Sequence, residues 1–216
     1  MTVAGTPFQI VRIRTPERGF FSVRSSVPGI ARGQIVVLAL GNGEDIGEVL
    51  DVETYEPARH GEDLPGYVLV RRVTPADEAK MKANAARAAD LKQCFLARVR
   101  ESFPEVRIPH SRLALGGGRL FVWYVHEKGR IDLNGIRKMF QRDVGIRMNV
   151  WQVGPRDEVA LLGAIGPCGR PCCCATWQTQ YPSVERLARA RTGGASGSYG
   201  MCNRAKCCLA FELDEV

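Results

Sequence analysis

"YVLVRRVTPADEAK" (residues 67–80) changes its period half-way along. Residues 67–73 are rich in Val and Leu and read as a strand. Thr74 then stands where a helix wants an N-cap hydroxyl, Pro75 suits the first helical position, and Asp77 and Glu78 bring negative charge to the first turn. The helix is expected to run to about Ser102, with Leu91, Phe95 and Val99 on one apolar stripe and Cys94 beside them as a core thiol. Pro104 ends it.

Working toward the C-terminus, "VRIPHSRLAL" (106–115) and "RLFVWYVH" (119–126) flank Gly116-Gly117-Gly118 as a hairpin. "DLNGIRKMFQRD" (132–143) is a second helix capped by Asp132, and "IRMNVWQV" (146–153) is another strand. From residue 67 the order is β-α-β-β-α-β, the split arrangement of ferredoxin-like folds. Toward the N-terminus, 8–14, 19–23, 34–40 and 45–52 read as short strands broken by Gly, Pro and Asn, with "GNGED" (41–45) as a hairpin turn. The expected class is therefore α+β in three parts. These are a small N-terminal β-sheet or barrel over 1–64, a ferredoxin-like βαββαβ unit over 65–155, and a Cys-rich metal-binding segment over 156–216. "EPARHGEDLPG" (56–66) is the linker between the first two.

The chain has 216 residues, 45% hydrophobic and 25% charged, which are globular values. No apolar run approaches the roughly 18 residues of a membrane helix. No basic region followed by an apolar core opens the chain, so the expected compartment is the cytoplasm. A net charge of +7 favours an anionic partner such as RNA. In a reducing compartment, eight cysteines are better suited to metal or redox chemistry than to disulfides.

Seven of those cysteines lie between 168 and 208. "CGRPCCC" (168–174) aligns with "CNRAKCC" (202–208), giving a repeated Cys-x-Arg-x-x-Cys-Cys pattern at a constant offset of 34. The thiols that recur are Cys168, Cys173, Cys174, Cys202, Cys207 and Cys208; Cys172 is an extra candidate ligand and Cys94 falls outside the repeat. Arg170 and Arg204 put positive charge beside each set, which lowers thiol pKa values and offsets the charge of a thiolate cluster. Glycines and prolines around the first motif set tight turns whose N–H groups are free to face sulfur. Six thiols serve one four-iron four-sulfur (4Fe–4S) cluster with two to spare, or two clusters with two ligands missing. Zinc is the rival, since Cys168 and Cys173 also have a tetrahedral-site spacing. Buried reduced cysteines at a packing point are the third reading.

These two motifs resemble the RicT/YaaT branch of the polymerase-suppressor C-terminal domain family. The resemblance extends upstream through "VWQVGPRDEVALLG" (150–163) and "GRLFVWYVHEKGRIDLNGIRKMF" (118–140), and covers roughly residues 33 to 211. It implies a cytoplasmic, non-catalytic bacterial subunit. It also implies partner proteins that share 4Fe–4S clusters in one complex, and assistance to RNase Y, an endoribonuclease, in mRNA maturation. The six recurring cysteines and the two arginines match the family's positions. Departures are Cys172, where the family has an apolar residue, Asn203 in place of a glycine, and Lys206 in place of an apolar residue.

A zinc-stabilised RNA-binding module acting alone is the alternative function. "GGGRLFVWYV" (116–125) has the look of an RNA-binding strand, with Phe121 and Trp123 on one face, but reads better as core. Arg137, Lys138, Arg142 and Arg147, and likewise Arg186, Arg189 and Arg191, read as solvated faces. His60, His110 and His126 have no partner spacing for zinc or a triad. No phosphate loop, nucleophile elbow or HExxH stretch is present, so no enzyme is expected.

Overall fold

The computed structural model describes residues 9–16, 20–40, 43–54, 56, 67–176, 178 and 199–208. The described elements are strands β1 (Gln9–Arg14), β2 (Phe20–Ser25), β3 (Ile35–Leu40), β4 (Glu44–Thr54) and β5 (Tyr67–Arg72), helix α1 (Pro75–Arg100), strands β6 (Arg107–Leu113) and β7 (Arg119–Val125), helix α2 (Asn134–Val144), strand β8 (Arg147–Gln152) and helix α3 (Pro155–Leu162). The order is α+β, as expected. The chain divides into two compact units. One takes Met1–Leu91, Arg112–Phe121 and Gly145–Met148; the other takes Lys92–Ser111, Val122–Val144 and Asn149–Val216.

In the first unit, five antiparallel strands form a sheet in the order β2-β1-β4-β3-β5. The edge strands β2 and β5 come close to one another, so the sheet curls around its own contents. Those contents are the inward residues of a period-two pattern: Val11, Ile13, Val23, Val36, Leu38, Val49 and Leu69 are all buried. Register breaks between Arg12 and Ile13 and between Val37 and Leu38 supply the bends. Gly47 is the tightest point of this interior. A Cβ there would come within 2.3 Å of Ile13 Cγ2 and 2.9 Å of Leu38 Cδ1.

The ferredoxin-like reading needs a correction here. The βαββαβ order holds along the chain, but its first strand does not join its last three. β5 pairs with β3 at the edge of the first sheet, with Leu69 opposite Leu38, while β6, β7 and β8 form a separate three-stranded sheet. The physical reason is the partner available to Leu69, which completes the interior of the curled sheet. Outward-facing Val68 and Val70 stay exposed.

The start of α1 follows its sequence signals. The Thr74 N–H donates to Asp77 Oδ2 at 2.9 Å, and the Thr74 hydroxyl donates to the same carboxylate at 2.6 Å. Arg71 also pairs with Asp77, and together these bonds hold its carboxyl well below the usual carboxylate range. Phe95 and Val99 are fully buried, whereas Cys94 is exposed, so the expected core role of that thiol is overturned. A one-residue step turns a helical side chain by about 100°, and that step moves position 94 out of the stripe. Phe121 and Trp123 are buried, in keeping with the core reading of β7. Asp132 caps α2 by accepting from the Asn134 N–H at 2.8 Å.

One feature of the first unit has no apolar character. Asp45 is almost fully buried and accepts two bonds from Arg112, at 2.7 and 2.8 Å, plus one from the Leu115 N–H at 3.3 Å. Burial pushes the Asp45 carboxyl up to about 6 and the Arg112 guanidinium down to about 10. The guanidinium also lies 4.6 Å from the Phe121 ring centroid.

Candidate metal centre

Residues 165–174 and 199–208 take the same secondary structure, position by position. Ile165 bridges Pro171, and 34 residues later Tyr199 bridges Ala205. The Gly166 N–H donates to the Arg170 carbonyl at 2.8 Å, and the Gly200 N–H donates to the Arg204 carbonyl at 2.8 Å. The Gly169 N–H returns to Gly166 O at 2.9 Å, and the Asn203 N–H returns to Gly200 O at 3.0 Å. The sequence repeat is thus a repeat of one tight turn.

The turn explains two residue choices. Gly169 has φ +75° and Asn203 has φ +52°. Both are left-handed, a region open to glycine and, among other residues, most readily to Asn. Asn203 therefore keeps the backbone that the first motif builds with glycine. Gly166 and Gly200 lie beside the sulfurs: a Cβ on the first would be at ordinary contact distance from Cys168 Sγ (3.6 Å) and Cys172 Sγ (3.9 Å), and on the second from Cys202 Sγ (3.8 Å).

The two motifs meet. Cys172 is held above its ordinary thiol pKa by burial first, then by the charges of Cys173, Cys202 and Cys168. Cys207 is raised by burial, and by Cys202, Cys173 and Cys208, while Arg156 opposes the rise. Each of these sets draws thiols from both motifs. Cys172, which breaks the repeat, is thus within electrostatic range of patterned cysteines from both motifs. Cys174 is buried, and α3 packs against the short 3-10 turn Cys173–Ala175 that carries it. Cys208, its counterpart, is exposed. Among the described residues, no three His, Cys, Asp or Glu side chains are already grouped as a metal site.

Arg170 and Arg204 have exposed side chains; it is their main-chain carbonyls that close the two turns. The guanidinium that acts on a thiol is that of Arg156, whose Nη2 donates to Ala205 O at 3.3 Å. Sequence reasoning missed both this residue and its helix. The signals were present: Pro155 at the first helical position, Asp157 and Glu158 in the first turn, and Gly163 after the last. The His110 and His126 rings stack at an angle on Trp123 and Phe103 respectively. His60, Arg186, Arg189 and Arg191 lie outside the described residues.

The chain is similar to the stage 0 sporulation protein YaaT of Bacillus subtilis, with 25% identity over 156 residues. That match covers 72% of this chain and 56% of the relative, so the chain spans about half the length of the curated protein it matches. The expected resemblance to YaaT-like proteins is borne out at that level. No family model and no solved structure matches. No helix among the described residues is long and apolar enough to cross a membrane.

Proposed function

We propose that this YaaT-like chain is a non-catalytic regulatory subunit that holds an iron–sulfur cluster between its two cysteine turns. In this reading it works with partner proteins in RNA processing. The observation that carries the proposal is the duplicated turn. Two segments 34 residues apart adopt one geometry and bring their thiols into each other's electrostatic range. A packing role for buried cysteines would require no such duplication.

The donor set fits the group. It is all thiol, and a bound cation would favour the thiolate forms and release protons as it binds. Cys168, Cys173, Cys202 and Cys207 would hold the metal, with Cys172, Cys174 and Cys208 as further ligands. A 4Fe–4S cluster, once bound, would supply iron–thiolate bonds that tie the two turns together. The chain's own groups hold the turns in place: the Arg170 and Arg204 carbonyls close them, α3 backs the first, and Arg156 favours the Cys207 thiolate.

The matched relative is named for sporulation. The resemblance to its family motivates partner subunits and an RNase Y-type endoribonuclease as the machinery assisted, in a cytoplasmic setting. The test is iron and sulfide per chain after anaerobic purification, alone and with co-expressed partners. Serine at Cys168, Cys173, Cys202 or Cys207 is expected to remove most of the iron, whereas Cys94→Ser leaves it in place. Colourless protein with stoichiometric zinc would overturn the proposal in favour of a zinc-stabilised RNA-binding module.

A further inference from the structure

The second unit contains a cleft of about 1400 Å³, lined by the ends of β7 and β8, the starts of α2 and α3, and the second cysteine turn. That is larger than the roughly 300–1,000 Å³ of ordinary small-ligand pockets. Its walls combine guanidinium groups with aromatic rings: Arg130, Arg137 and Arg204 with Tyr124, His126 and Trp151. A fourth lining arginine, Arg107, is engaged by Glu127 at 3.4 Å and Glu158 at 3.5 Å, and its one positive charge offsets one of those two acids. Asp132 is occupied as the cap of α2. Arg137 is already bonded to Asn134 and Gln141, each at 3.4 Å, and four lining arginines against three lining acids leave the cleft one net positive charge.

The aromatic side of the cleft is unusual. His110, Trp123 and Trp151 form a ladder across β6, β7 and β8, with ring centroids 5.2 and 5.3 Å apart and interplanar angles of 40° and 35°. Two members are largely covered. Trp151 is 37% exposed and ends the ladder on the cleft. A tryptophan fixed from behind by another tryptophan is a rigid platform that has lost its rotamer freedom before any ligand arrives. Flat aromatic rings beside fixed guanidiniums are the chemistry that binds unpaired bases and their phosphates, because every base has a π-face and every linkage a negative charge.

We infer that this cleft binds a single-stranded RNA segment, with a base stacked on Trp151 and the phosphates on Arg130 and Arg204. The choice of RNA rests on the proposed role in RNA processing; the cleft itself rests on its own geometry. A duplex has no free base face for Trp151. A mononucleotide would fill only part of the cleft.

The experiment is fluorescence anisotropy of the full-length, anaerobically purified chain with a labelled single-stranded ten-nucleotide RNA over a salt series, with iron measured on every sample. The wild type is expected to bind, with a log–log salt slope near −1.4 if two phosphates are neutralised at about 0.7 each. Trp151→Ala is expected to weaken binding by about five- to 150-fold, the range of one lost base stack. Trp151→Phe should recover much of that loss. Arg130→Gln should make the slope shallower by about 0.7. Circular dichroism checks that each variant is folded. Absence of wild-type binding, equal binding of duplex or mononucleotide, or unchanged affinity in Trp151→Ala would overturn the inference. Because iron is read separately, an iron-loaded chain that ignores RNA would sink the cleft proposal alone, and an RNA-binding chain without iron would sink the cluster proposal alone.

Discussion

The curled sheet of the first unit and the paired cysteine turns of the second reach order by opposite means. The sheet buries Val11, Ile13, Val23, Val36, Leu38 and Val49 completely, each worth roughly 1.5–3 kcal/mol of transfer free energy. The turns bury almost nothing apolar: Ile165, Tyr199 and Met201 are more exposed than covered, or nearly so, at 59%, 49% and 56%. What fixes the turns is backbone hydrogen bonding and two left-handed residues. A region built by burial is stable before it meets a ligand. A region with so little apolar burial is expected to be completed by the metal that its thiols bind.

The largest expected effect attacks the buried Asp45–Arg112 pair of the stable region. Arg112→Met leaves the Asp45 carboxyl buried without its bidentate partner and should cost about 3–5 kcal/mol in urea denaturation. Iron per folded chain should not change. A loss under about 1 kcal/mol would mean that the buried pair is not what orders this end of the sheet.

Gly47→Ala should come next. The added methyl meets Ile13 and Leu38, and overpacking of this kind costs about 1–3 kcal/mol. Measured on metal-free protein, this destabilisation should match that of metal-loaded protein, since the sheet does not depend on the turns. If metal rescues the variant, the contrast drawn between the two regions fails.

The turns should respond in the reverse manner. Gly169→Ala forces a Cβ into the left-handed region, and Asn203→Ala removes the side chain that best tolerates it, at up to about 1–2 kcal/mol each. Metal affinity should fall about five- to 30-fold, while metal-free denaturation stays within about 0.5 kcal/mol of the parent. Asn203→Gly should bind metal at least as well as the parent. Hydrogen exchange on metal-free protein sharpens the same contrast: amides of β1, β3 and β4 should be protected, and those of 165–174 and 199–208 should exchange until metal is added.

The smallest expected effect is on pH. Burial first, and then the charge of Lys92, holds His110 below its ordinary value of 6.5, so the folded chain keeps it neutral in contact with Trp123. The unfolded chain binds the proton more readily. The stability that this brings is therefore complete above pH 6.5 and is lost as pH falls through the lower folded value. His110→Phe, which keeps a ring on Trp123, should flatten the decline of stability on that acid side. An unchanged pH profile would show that the folded and unfolded chains bind this proton equally well.

Much of this was written in the sequence because it is local. Thr74, Pro75 and Asp77 start α1 with bonds made within four residues, and the strands of the first unit stand within about two residues of their expected limits. The cysteine repeat and its offset of 34 were legible too, since a turn is a short-range object and its glycine or asparagine marks it. Pro155, Asp157 and Glu158 announced α3 in the same local terms and were passed over. What only the tertiary structure decided is which distant surfaces met. β5 carried no instruction on whether to pair with β3 or with the later strands; the interior that Leu69 completes settled it. Cys94 followed the apolar stripe by spacing, yet its own direction from the helix left it exposed. The meeting of Cys172 with Cys202, and of Cys207 with Cys173 and Arg156, joins residues 30 or more positions apart. Sequence fixes what each short segment prefers, while packing selects among partners of nearly equal preference, because burial is shared between surfaces and belongs to neither one alone.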